Sequence, residues 1–362
     1  MDHRLVIVGY GTMGVTHFEK LADVDGVEVV GAVDIDPARE HYAAEDGLHV
    51  YPDLEAALAD DGVDFVFVCT PNDSHRPIAE AALRAGKHVM CEKPAMLDSE
   101  ELAAVTSLAV ATGRVFAVHQ NRRWDEDYLS IKHLYDDETI GRIGYIETRV
   151  HGSRGIPGDW RARKAQGGGM LLDWGVHLVD RLLLMVDSPV VGVYGRLSFV
   201  LGKEVEDGFK AYLTFANGVE ALVDVSTTNY IPLPKWLVQS VRGTATIDDW
   251  QMNGKVLFHA ETLDEEDDAE PIAAGAGMTK TMAPRKVDFK ALVANDPAVE
   301  FLPLPRVDTD VKGFYRNALA AADGGAPLLV AHAELLRTMR LLEAIEESHR
   351  TGQVVAFEPA AP

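Results

Sequence analysis

The chain has 362 residues, 47% of them hydrophobic and 25% charged, with a formal net charge of −23. That length suits about two domains, and the composition is that of a globular protein with a core to bury. No apolar run reaches the roughly 18 residues that a membrane span needs. The excess of acid disfavours a nucleic-acid partner, which wants clustered Lys and Arg.

Met1-Asp2-His3-Arg4 leads straight into Leu5 to Val8, an apolar run too short for a signal-peptide core. Cys69 and Cys91 each end an apolar run, and neither has a Cys partner at metal-ligand spacing. Buried free thiols suit a reducing compartment, and the expected location is cytoplasmic. The acidic run Asp264 to Glu270 reads as a solvated loop.

The first 120 residues alternate strand-like and helix-like runs. Strands are expected at Leu5 to Gly9, Val27 to Asp34, Phe65 to Thr70, Val89 to Cys91 and Val115 to His119. Between them lie helical runs at Met13 to Ala22, Pro37 to Ala44, Leu54 to Ala59, Ile78 to Ala85 and Ser99 to Thr112. Such alternation predicts a doubly wound parallel sheet covered on both faces. After about residue 120 the rhythm changes. Helices are expected at Tyr128 to Tyr135, Met170 to Met185, Val311 to Ala322 and His332 to Arg350. Strand-like runs fall at Ile143 to His151, Val190 to Val200, Phe209 to Phe215, Val219 to Thr227, Trp236 to Arg242 and Lys255 to Ala260. Consecutive strands with short turns predict a second α/β domain, 121–362, on a large, mainly antiparallel sheet. The helix at 332–350 is a candidate to pack back on the first domain, 1–120. Residues 261–306 give no clear pattern.

Gly9-Tyr10-Gly11-Thr12-Met13-Gly14 is a G-x-G-x-x-G motif that follows a strand and opens a helix. In that context it predicts a dinucleotide-binding turn whose helix N-terminus receives the pyrophosphate. Asp34 stands about 20 residues on, at the end of the second strand, where an acid accepts hydrogen bonds from ribose hydroxyls and repels a 2′-phosphate. No Arg occurs in Ile35-Asp36-Pro37, so the expected cofactor is NAD. Thr70-Pro71-Asn72 ends the third strong strand and reads as a wall of the same site, with His75 just beyond.

Glu92-Lys93-Pro94 ends the next strand on the same edge, and its proline suits a fixed turn with a cis bond. A lysine there can hydrogen-bond a substrate hydroxyl. Gly167-Gly168-Gly169 leads into Met170-Leu171-Leu172-Asp173-Trp174-Gly175-Val176-His177. On a helix, Asp173 and His177 project from one face, and a His beside a carboxylate is a proton acceptor. A metal reading would need a third ligand; His119 and His151 are available but not at recognisable spacing.

Taken together, these motifs and Asn121-Arg122-Arg123 resemble the glucose–fructose oxidoreductase / inositol dehydrogenase / rhizopine-catabolism (Gfo/Idh/MocA) family over nearly the whole chain. The resemblance implies a Rossmann domain followed by a domain whose open sheet face mediates a homodimer or homotetramer. It places the catalytic lysine at Lys93 and the aspartate–histidine pair at Asp173 and His177. It adds Gln120, Trp160 and Arg161 near the nicotinamide, and Arg123, Trp124 and Arg163 toward the substrate. The implied activity is NAD-dependent oxidation of a secondary alcohol on a sugar, glycoside or inositol. The same constellation serves a glycosidase or lyase that oxidises C3 transiently with tightly held NAD, and a non-catalytic NAD sensor.

Overall fold

A computed structural model describes residues 2–260, 270–274, 277–281 and 298–357. Six parallel strands form the first sheet: β1 (His3–Val8), β2 (Val27–Val33), β3 (His49–Val50), β4 (Phe65–Val68), β5 (His88–Cys91) and β6 (Phe116–Val118), in the order β3-β2-β1-β4-β5-β6. Leu5, Val6, Ile7 and all of Phe65 to Val68 are fully buried. That explains why β1 and β4 read as unbroken apolar runs and not as alternation: a parallel sheet is covered on both faces. The order reverses direction at β1 and β4, which opens a crevice at their carboxyl ends.

The connecting helices are α1 (Thr12–Leu21), α2 (Pro37–Glu45), α3 (Leu54–Ala59), α4 (His75–Arg84) and α5 (Ser99–Thr112). Asp36, Asp53 and Asp98 cap α2, α3 and α5, accepting from the N–H groups of Ala38, Ala56 and Glu101. Each such cap is worth about 1 kcal/mol. Helix α4 starts at His75, earlier than the expected Ile78. Pro77 falls in its first turn, where a missing N–H is tolerated.

The second domain holds nine strands: β7 (Ile143–His151), β8 (Val190–Ser198), β9 (Gly208–Phe215), β10 (Glu220–Ser226), β11 (Trp236–Ser240), β12 (Gly243–Ile247), β13 (Gly254–His259), β16 (Val299–Leu302) and β17 (Val355–Ala356). Their order is β16-β13-β12-β11-β7-β10-β9-β8-β17, antiparallel except for the β7–β10 pair. The expected single strand from Trp236 to Arg242 is in fact the start of a hairpin. The Ser240 hydroxyl accepts from the N–H groups of Arg242 and Gly243 and folds β11 back into β12. Two further short strands, β14 (Glu270–Ala274) and β15 (Gly277–Thr281), pair with each other. The run Asp264 to Ala269 and residues 282–297 lie outside the described residues.

Helices α6 (Glu126–Asp136), α7 (Val176–Met185), α8 (Gly313–Ala322) and α9 (His332–Thr351) complete the structure. Phe314, Tyr315, Ala318 and Leu319 of α8 join the core formed by Leu5, Ile7, Phe65 and Phe67. One face of the first sheet is therefore closed by a helix from the far end of the chain. Helix α9 packs on β8 and α7, and touches the first domain where Glu343 accepts from the Ser99 N–H and hydroxyl at 2.7 and 2.8 Å. Among the described residues, no helix is long and apolar enough to cross a membrane.

Candidate active site

Strand register brings the carboxyl ends of β1, β4, β5 and β6 side by side, since Val8 pairs with Val68, Val68 with Cys91 and Cys91 with Val118. Gly9, Thr70 and Glu92-Lys93 thus emerge on one edge. Gly14 is required by close packing: a Cβ there would lie 2.3 Å from the Gly9 carbonyl oxygen. A Cβ on Gly11 would meet only the Arg39 side chain, at 3.2 Å, so the turn is open above its backbone. Helix α1 has no side-chain cap at Gly11. Its first N–H groups and positive dipole end are the donor set a pyrophosphate needs, and the cradle fits a dinucleotide.

Asp34 is buried at the end of β2. Its carboxylate accepts from the Tyr10 N–H at 2.7 Å and the Asp36 N–H at 2.9 Å. Arg39 approaches it to 3.7 Å. Neighbouring Ile35 is fully exposed, an apolar surface beside the acid. No cation stands at 35–37, as the sequence says, yet α2 returns a guanidinium from its first turns.

Lys93 precedes Pro94 across a cis peptide bond. Its Nζ donates to the Asp173 carboxylate and to the Asp173 carbonyl, both at 2.9 Å. Arg161 lies 3.6 Å from the other carboxylate oxygen. Burial alone would push the Asp173 carboxyl up, but the Lys93 and Arg161 charges outweigh it and hold it below the usual 3.8. His177 is buried, and burial, reinforced by the Lys93 and Arg122 charges, pulls its imidazole well below 6.5, so it is neutral. Its Nδ1 and Gln120 Oε1 are buried polar atoms without a hydrogen-bond partner. Each such orphan costs about 1–3 kcal/mol.

The aspartate bonds the lysine, whereas the sequence pattern aimed it at the histidine. The cause is local: Leu171–Gly175 is a π-helical turn, and α7 begins only at Val176. A wider turn rotates Asp173 away from the i, i+4 line. The Gly167-Gly168-Gly169 turn that precedes it is pinned from the first domain by Asn72, whose amide donates to the Gly167 carbonyl at 2.9 Å. Beside it, Arg161 stacks on Trp160 at 4.4 Å and pairs with Asp159 at 2.8 Å. Arg163 is exposed.

Other expected site residues serve the framework. His75 is fully buried and contacts the Pro94 carbonyl at 3.0 Å and the Thr70 carbonyl at 2.9 Å, so it ties the two turns together and does not face the crevice. Arg123 is also buried. It bonds Asp180 through Nε and Nη2 at 2.8 and 2.6 Å and Glu334 through Nη1 at 2.7 Å, which leaves no free edge for substrate. Trp124 packs against both hydrophobic cores. Gln120 is buried with its amide on the Val176 carbonyl at 3.2 Å.

Glu92 belongs to a network the sequence reading missed. Its Oε1 accepts from His17 Nε2 at 2.7 Å and His119 Nδ1 at 2.8 Å, and the Tyr315 hydroxyl lies 2.7 Å from His17 Nδ1. Burial pushes the Glu92 carboxyl up, but the two imidazoles win and hold it well below 4.5. His17, Glu92 and His119 are the one described group with a metal-ligand composition, and hydrogen bonds among them account for their approach. His151 sits elsewhere, 3.2 Å from Asp224. A signal for His17 was available: Gly14, His17 and Leu21 share the buried face of α1.

Residues 3–120 match the oxidoreductase family with an NAD-binding Rossmann fold, and residues 128–246 match the GFO/IDH/MocA C-terminal domain. The chain is 31% identical over 359 residues to the uncharacterized oxidoreductase YdgJ of Escherichia coli (strain K12), covering 98% of this chain and 99% of the relative. It is 25% identical over 364 residues to the scyllo-inositol 2-dehydrogenase (NADP(+)) IolW of Bacillus subtilis (strain 168), covering 98% and 96%. The crystal structure of an NAD-binding protein from Listeria innocua superposes with a TM-score of 0.87 at 43% identity, covering 98% of this chain and 97% of that one. With both domain profiles matched and these likenesses running end to end, the chain belongs to the Gfo/Idh/MocA family of NAD-binding oxidoreductases.

Proposed function

We propose that this chain is an NAD-dependent dehydrogenase that oxidises a secondary alcohol on a sugar, glycoside or inositol. Its catalytic residues are Lys93 and His177, with Asp173 positioning Lys93. The observation that carries this reading is the Lys93–Asp173 contact at 2.9 Å, beside a buried neutral imidazole and the open glycine turn.

The residues that would hold the cofactor are Gly9 to Gly14, Asp34 and Ile35 at the adenosine half, and Thr70, Pro71, Trp160 and Arg161 at the other. When bound, the dinucleotide supplies a hydride acceptor at its nicotinamide. The chain itself handles the proton. His177 is neutral and accepts the hydroxyl proton at a ring nitrogen. The Lys93 ammonium, aimed by Asp173, donates to the same oxygen and stabilises the charge that develops there. Asp173 acts through Lys93.

Asp34 supports NAD over NADP, because a fixed carboxylate repels a 2′-phosphate. Polyol substrates are supported by the inositol relative. A second copy of the chain is the proposed partner of the open sheet face, where Tyr145, Tyr212, Leu222 and Leu237 are half-exposed; light scattering on the purified chain would give a dimer or tetramer mass.

The test is a panel of sugars, inositols and glycosides incubated with NAD and the full chain. NADH and a ketone should appear in equal amounts. Release of an aglycone without NADH would instead indicate the transient-oxidation chemistry.

A further inference from the structure

Trp174, between Asp173 and His177, takes part in a cation–aromatic stack that the dehydrogenase reading leaves unused. The Arg122 guanidinium lies 4.9 Å from the ring centres of both Trp174 and Trp250, which are 6.0 Å apart. Lys235 Nζ lies 3.2 Å from the Trp250 centre. These residues come from the turn after β6, the end of the π turn, the β12–β13 turn and the lead-in to β11. The stack borders the proton acceptor: the Trp174 and His177 rings are 5.9 Å apart.

The ion pairs around the stack leave donor atoms over. Arg122, Arg181 and Lys235 share Asp125 and Asp127, with Asp249 also near Lys235 and Asp180 near Arg181. Arg122 reaches Asp125 at 2.8 Å, Lys235 reaches Asp127 at 2.9 Å, and Arg181 lies 3.8 and 3.5 Å from the same two carboxylates. Donors are in excess, since Arg122 Nε and Arg181 Nε and Nη1 have no hydrogen-bond partner. A guanidinium packed against a pair of indoles is pre-oriented, and its planar donor edge suits a carboxylate or phosphate. Trp250 is 50% exposed, a large apolar surface at the tip of a turn.

The cofactor pyrophosphate does not account for the Arg122 cation. Its cradle is at the end of β1, whereas Arg122 follows β6, three strands away in the sheet, or roughly 14 Å at ordinary strand spacing.

We propose that the alcohol oxidised here carries an anionic group, a carboxylate or a phosphate, recognised by Arg122 against the Trp174–Trp250 pair with Lys235 beside it. The substrate class is then acidic sugars or cyclitols, with an indole against the ring. This inference rests on the dehydrogenase reading.

The test compares matched compounds with the full chain and NAD: hexuronates, hexose 6-phosphates and the neutral parent hexoses. The best acid should exceed its neutral parent at least tenfold in kcat/KM, and the uronate and phosphate arms tell the two anions apart. Its KM should rise with added NaCl, because salt screens the contact, while a neutral parent's should not. Arg122→Gln should cut the acid-to-neutral ratio about tenfold, mainly through KM. If that variant misfolds by circular dichroism, the salt dependence of the wild-type chain still decides. Neutral hexoses oxidised as well as their acids would overturn the anion site and leave the dehydrogenase intact. If nothing is oxidised, calorimetry on the NADH-loaded chain decides. An acid that binds while its parent does not keeps the anion site and sinks the dehydrogenase reading; equal binding sinks the site.

Discussion

Lys93 bonds Asp173 twice, through the side-chain carboxylate and through the backbone carbonyl, each at 2.9 Å. A side chain from the first domain is thereby fixed on a π turn of the second. Asp173→Asn keeps an acceptor but removes the charge. It should lower kcat about 10²-fold while NAD affinity changes little. Steady-state rates and a fluorescence titration with NADH check this; a loss confined to NADH binding would contradict it.

Tyr315 from α8 meets His17 from α1 in the core beneath the glycine turn. Tyr315→Phe removes the hydroxyl that lies 2.7 Å from His17 Nδ1. A buried polar atom left without a partner costs about 1–3 kcal/mol. The urea midpoint should fall accordingly, and an unchanged midpoint would mean that water replaces the hydroxyl.

Acid should destabilise the fold before the carboxylates titrate. Burial pulls His17 and His88 down from 6.5 to about 4, and pulls His75 and His177 down as well. Unfolded, each titrates near 6.5. Between pH 6.5 and 4 the unfolded chain binds more protons, so stability falls as pH falls, by up to about 1.4 kcal/mol per pH unit for each imidazole. Glu92, depressed below 4.5, adds its loss only at lower pH. Urea unfolding should show a lower midpoint at pH 5 than at pH 7; equal midpoints would refute this.

Cofactor choice turns on Asp34 with Arg39 at 3.7 Å. Asp34→Ser leaves the guanidinium and removes the repelling charge. The ratio of kcat/KM for NADP to that for NAD should rise by about tenfold or more, an energy near 1.4 kcal/mol. An unchanged ratio would mean that Asp34 does not face the ribose.

Much of the scaffold was legible because it follows local rules. Unbroken apolar runs marked β1 and β4, aspartates marked the caps, and the glycine turn with Asp34 marked the nucleotide edge. What the sequence hid depends on contacts between distant segments. Nothing near Phe314 or Tyr315 says that they close the first sheet. The sequence pairs Arg122 and Arg123 as neighbours, yet Arg123 is buried on Asp180 while Arg122 packs against two indoles. Trp250 lies in a polar turn with no periodicity to place it. The Asp173–His177 spacing misled because it assumes 3.6 residues per turn, and the chain makes a π turn there.

The central claim is that Lys93 and His177 handle the proton while the glycine turn holds NAD. The most direct test is the rate of NADH formation by Lys93→Ala and His177→Ala on the best alcohol of the panel, with NAD binding measured on the same samples. Each variant should bind NAD as the wild type does and lose about 10²–10⁴-fold in kcat. Wild-type turnover in either variant would contradict the account.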